Sequence, residues 1–75
     1  MKNGLMKLDT PLTVKETEIV KSICNGYSNK EITKHLKISE QAVKKNLGNI
    51  YKKVGVADRL QLAIYAMKYW PFCFR

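Results

Sequence analysis

Imidazoles, thiols and carboxylates are all scarce in this 75-residue chain, which has one histidine, two cysteines and six Asp and Glu. An enzyme needs a nucleophile with a base, paired carboxylates or metal ligands, and this inventory supplies none of these sets. His35 stands beside Lys34 and Lys37, and together with the distant Cys24 and Cys73 it matches no zinc or redox spacing. The four glycines are scattered, so no phosphate-cradling loop is present. Catalysis, a resident metal and an organic cofactor are therefore not expected. Two cysteines allow one disulfide but make no disulfide framework, and free thiols in a reducing cytoplasm are the expectation. The N-terminal residues carry charge but no apolar stretch of signal-peptide length. No hydrophobic run approaches the roughly 20 residues of a membrane span. Repeats and low-complexity stretches are absent too.

What the chain has in excess is positive charge. Fourteen Lys and Arg leave a formal +8, which makes polyanions the expected partners. Hydrophobic residues make up 45% of the sequence, too many for a disordered basic tail. The composition describes one small, compact, basic domain.

Gly and Ser/Thr/Asp punctuation divides the chain into a short arm (1–12), a helical domain (13–69) and an aromatic tail (70–75). Three capping boxes, Thr13-Val-Lys-Glu16, Ser28-Asn-Lys-Glu31 and Asp58-Arg-Leu-Gln61, open helices, and Ser39 caps a fourth without a reciprocal Glu. The expected helices cover about 14–25, 29–36, 40–54 and 59–69, ending at Gly26, Gly55 and before Pro71. Lys37 and Ile38 alone separate the second helix from the cap of the third, which implies a tight turn between steeply crossing helices. The fold class is all-α with four helices.

On the third helix, Val43, Leu47, Ile50 and Val54 form a narrow apolar stripe that must face a core. The opposite side collects Gln41, Lys45, Gly48, Asn49 and Lys52, with Lys44 on its flank and no carboxylate. Long amines and primary amides hydrogen-bond base edges in the major groove, and lysine also pairs with phosphates. The stretch 30–53 holds seven Lys against Glu31 and Glu40. A solvated basic face is the plainer reading of any one lysine; the whole constellation after a tight turn favours DNA.

Further residues carry a family likeness: Leu12-Thr-Val-Lys-Glu16, Gly26-Tyr-Ser-Asn-Lys-Glu-Ile32, Ile38-Ser39, Val43-Lys44, Leu47-Gly-Asn-Ile-Tyr51, Lys53-Val-Gly-Val56 and Arg59-Leu-Gln61. In register, over roughly residues 12–66, these resemble the LuxR/NarL-type helix-turn-helix domain, and most of all its stand-alone, GerE-like members. The resemblance implies a transcription regulator with a positioning second helix, a recognition third helix and a dimerising fourth. It puts base-reading positions on Lys44, Lys45 and Gly48 and phosphate contacts near Asn29, Lys30 and the start of the third helix. The chain departs from the family pattern at Ala42, Asn46, Gly48 and Asp58, of which Asp58 still serves as a cap.

Base contacts are accordingly expected from Gln41, Lys44, Lys45, Gly48 and Asn49. Phosphate contacts are expected from Asn29, Lys30, Lys34, Lys37, Asn46, Lys52 and Lys53. On the fourth helix, Leu62, Ala66 and Trp70 form one apolar side and Leu60, Ile64 and Met67 another, so it needs two things to pack against. The family pattern sends Leu62, Ala63 and Ala66 to the core; Leu60, Ala63, Ile64 and Met67 make the expected homodimer interface, with C2 pairing. The tail, Tyr69 to Arg75, is expected to pack between the first and fourth helices, with partner binding as its other reading. Control is expected from synthesis, degradation or a partner such as RNA polymerase or a regulatory protein. Two other readings share this plan. One is a sigma-factor-like, polymerase-touching domain. The other is an interaction module or anti-activator that dimerises with larger LuxR-type regulators.

Overall fold

The computed structural model describes residues 12–70, which form four helices. They are α1 (Val14–Cys24), α2 (Asn29–Leu36), α3 (Glu40–Val54) and α4 (Arg59–Tyr69). No strand occurs among the described residues. The expected arm before Leu12 and the tail beyond Trp70, with Cys73, lie outside them.

Local signals in the sequence account for where the helices begin and end. Thr13 and Ser28 accept from the backbone N–H of Glu16 and Glu31, whose carboxylates accept in return from the two cap N–H groups. Ser39 accepts from the Ala42 N–H with no reciprocal partner, as expected. The expected third box is only half formed. Asp58 accepts from the Gln61 N–H, but the Gln61 amide oxygen accepts from Ala57 N–H and not from Asp58 N–H. Asp58 is fully extended (φ −155°, ψ 179°), unlike Thr13 and Ser28 with φ near −75°, and this turns its own N–H away from the helix. Gly55 ends α3 at φ +85°, a left-handed conformation that glycine adopts without strain. The α2–α3 turn places Lys37 in the same region at φ 58°, and it delivers the chain to Ser39 within two residues.

The core joins Ile19, Val20 and Ile23 of α1, Ile32 of α2, and Val43, Leu47 and Ile50 of α3 to Leu62 and Ala66 of α4 and to Trp70. The α1 helix packs on each of the other three, and α2 packs on α3. The apolar stripe of α3 is thus the face expected, with Val54 half-buried at its end. Trp70, placed by sequence at the start of the tail, is fully buried and stacks edge-on against Tyr65 with ring centroids 5.3 Å apart.

Two features differ from expectation. Cys24 is disulfide-bonded, so the expectation of free thiols fails for it. Glu16, read only as a cap, is also a buried anion. Its Oε1 lies 2.7 Å from the Lys53 ammonium at the far end of α3. Burial alone raises the Glu16 pKa, but hydrogen bonds from Lys53 and Thr13 and the lysine charge outweigh it, leaving the group below its ordinary 4.5.

A carboxylate held below its unfolded value stabilises the fold above that value, and the contribution fades as pH falls through the folded one. Glu16→Gln should therefore cost about 1–3 kcal/mol at pH 7, because it leaves the Lys53 charge without its anion. Urea unfolding checks this. The gap between wild type and variant should narrow as the pH drops below 4.5, and a constant gap contradicts the assignment.

Candidate nucleic-acid interface

The α3 helix turns its apolar stripe inward, so the opposite face is committed to solvent. Gln41, Lys44, Lys45, Gly48, Asn49 and Lys52 are all exposed, and none of their side chains makes a hydrogen bond or ion pair within the described residues. Amide and amine groups therefore stand uncommitted along a face about three turns long. The tight turn at Lys37 sets α2 across the start of this helix, with Lys30, Lys34 and Lys37 exposed.

The remaining expected phosphate contacts are used within the fold. The Asn46 side chain donates 2.8 Å to the Ala42 carbonyl one turn earlier and is half-buried. The Lys53 amine donates to Glu16 and is only 20% exposed. The Asn29 Oδ1 accepts from Arg59 Nη1 at 2.6 Å. Sequence reading missed these commitments because each partner of Lys53 and Asn29 lies thirty or more residues away. Arg59 itself, opening α4, also donates from Nη2 to the Tyr27 carbonyl. It sits near Tyr51, whose phenol is pushed above 10.0 by burial, with Arg59 opposing the shift.

On α4, Leu60, Ile64 and Met67 are 69%, 51% and 43% exposed, while Leu62 and Ala66 are buried. Ala63 lies between the two sides, half-buried against the core. A hollow of about 220 Å³ beside this stripe is lined by Val56, Gln61, Ile64, Tyr65, Lys68 and Tyr69. No group of three or more His, Cys, Asp or Glu side chains suited to a metal occurs among the described residues. None of their helices is long and apolar enough to cross a membrane.

A helix-turn-helix whose third helix turns lysines and amides outward is matched by the model of the luxR family of bacterial regulatory proteins over residues 10–66. The chain belongs to this family. It is 48% identical over 58 residues to the uncharacterized transcriptional regulatory protein YhcZ of Bacillus subtilis, covering 77% of this chain and 27% of YhcZ. It is 38% identical over 71 residues to the transcriptional regulatory protein LnrK of the same organism, covering 88% of the chain and 32% of LnrK. The response regulator protein VraR of Staphylococcus aureus is 40% identical over 72 residues, covering 92% of the chain and 34% of VraR. The chain thus spans about a third or less of the length of these relatives. As a luxR-family helix-turn-helix domain it is of the DNA-binding, transcription-regulating kind and not an enzyme.

Gly48 is the one glycine of the described helices' interiors, and a Cβ built there meets no atom within 4 Å. The fold does not require it. Gly48→Ala should raise stability by about 0.5–1 kcal/mol through helix propensity, read as a higher urea midpoint, and a lower midpoint contradicts this.

Proposed function

We propose that this luxR-family domain binds double-stranded DNA sequence-specifically as a homodimer. In this reading α3 enters the major groove and α4 pairs with its symmetry mate. The observation that carries it is the α3 face, where Gln41, Lys44, Lys45, Gly48 and Asn49 are exposed together and free of carboxylates. Bidentate amide and amine contacts to base edges contribute about 1–3 kcal/mol of discrimination each. Lys30, Lys34, Lys37 and Lys52 neutralise phosphates and supply sequence-independent attraction that falls with salt. Asn29 at the start of α2 and Asn46 in the middle of α3 add neutral contacts, while Lys53 stays with Glu16.

The dimer reading rests on Leu60, Ile64 and Met67, three large apolar side chains left in water on one side of a helix whose other side is core. Ala63 gives the close approach between them, and the adjoining hollow at Ile64 and Tyr65 offers space for a partner side chain. Such a pair would place two recognition helices roughly 34 Å apart, one turn of DNA. A cytoplasmic setting, and RNA polymerase or a regulatory protein as a further partner, belong to the same reading. The exposed α4 face equally suits a heterodimer with a longer protein of this family, which makes that arrangement the second reading.

Selection from random 30-base-pair duplexes at about 150 mM salt tests the proposal. An inverted repeat with half-site centres about ten base pairs apart is expected, and no enrichment overturns sequence-specific binding by this chain. Lys44→Ala with Lys45→Ala should reduce affinity for the selected site at least tenfold, by the loss of two base contacts. Sedimentation should show its dimer intact. Leu60→Glu should do the reverse, leaving a folded monomer by circular dichroism and sedimentation, with binding to the full repeat lost. A Leu60→Glu protein that still sediments as a dimer removes α4 from the interface.

A further inference from the structure

Asn29 opens α2, and its amide has two edges with opposite chemistry. The Oδ1 edge is taken, accepting from Arg59 Nη1 at 2.6 Å. The Nδ2 edge donates to no group among the described residues. An asparagine amide turns freely about its last torsion unless one edge is claimed. The claim comes from across the fold, since Arg59 is 30 residues further on, at the start of α4. The guanidinium is itself anchored a second time, through Nη2 to the Tyr27 carbonyl. A rigid planar fork held at two points fixes direction as well as distance. Arg59 is half-buried, so its charge is engaged inside the domain while Lys30 beside Asn29 is exposed.

We propose that Arg59 is a positioning residue for DNA binding: it holds the Asn29 oxygen so that the amide's N–H edge is left to donate to a backbone phosphate. The proposal rests on the DNA-binding reading above and adds a role for an arginine that contacts no DNA. A second consequence follows from its place on α4. The helix proposed to pair two copies then also orients a phosphate contact at the start of α2.

The salt dependence of binding separates this role from a direct one. A neutral amide displaces no counterion, whereas an arginine on a phosphate steepens the slope of log K against log salt by about 0.9. The full chain is titrated against its selected duplex by fluorescence anisotropy at several salt concentrations, as wild type, Asn29→Ala, Arg59→Ala and the double variant. Each single variant should weaken binding about fivefold, the loss of one hydrogen bond, with the slope unchanged. The double variant should lose no more than either single one. Additive losses, or a slope that falls by about one for Arg59→Ala, overturn positioning and make Arg59 a phosphate contact. If Arg59→Ala proves unfolded by circular dichroism, Asn29→Asp decides instead. Its carboxylate still accepts from Arg59 and keeps the fold, but it has no N–H edge, so unchanged affinity overturns the proposal. Wild-type protein that binds no duplex ends the DNA reading itself, an outcome distinct from any of these.

Discussion

One carboxylate ties the start of α1 to the end of α3. Glu16 accepts from the Thr13 N–H that starts α1 and from the Lys53 ammonium that ends α3, and it is 3% exposed. Burying a charge in so small a core is unfavourable unless the geometry compensates. Here two donors compensate, and the group stays ionised below its ordinary range. The consequence is directional. Apolar packing of Val43, Leu47 and Ile50 fixes which face of α3 looks inward but tolerates some sliding along and rotation about the helix axis. A specific ion pair to α1 near one end removes part of that freedom. The exposed face of α3 is therefore aimed by interactions made entirely on its other side.

The same division between inner and outer work explains α4. A helix on the surface of a monomer carries one apolar stripe. The α4 helix carries two, because Leu62, Ala66 and Trp70 complete the core while Leu60, Ile64 and Met67 remain in water. A 75-residue chain buries a modest fraction of its surface, and leaving three large side chains exposed runs against its own stability. Pairing two copies would recover that area and, in the same step, double the number of base and phosphate contacts on one duplex.

Whatever depends on neighbours three or four residues apart was legible in the sequence. The caps at Thr13, Ser28 and Ser39, the stop at Gly55, the stripe of α3 and the two sides of α4 are all of this kind, and the helix ends fall within a residue of expectation. The exposed candidates Gln41, Lys44, Lys45, Gly48 and Asn49 follow from the same periodicity. What depends on contacts between elements was not legible. The Glu16–Lys53 pair spans 37 residues and the Arg59–Asn29 bond 30, and no local pattern marks either. The half-formed cap at Asp58 failed for a subtler reason, since the motif was present but an extended backbone turned the N–H it needed away.

These long-range commitments alter how the positive charge should be counted. The seven lysines between residues 30 and 53 look equivalent in the sequence, yet Lys53 is neutralised inside the fold and contributes little to the outer field. Arg59, outside that stretch, is likewise held by a carbonyl and an amide. Formal charge therefore overstates the number of phosphates the domain can neutralise. The exposed set on α2 and α3 is Lys30, Lys34, Lys37, Lys44, Lys45 and Lys52. Since the salt slope of DNA binding follows the number of phosphates actually neutralised, Lys53 adds little to it, and any lysine bonded to a base edge lowers the count further. Counting charge in the sequence therefore says how strongly a polyanion is attracted, while the geometry of the amines on α2 and α3 bears on how it would be held.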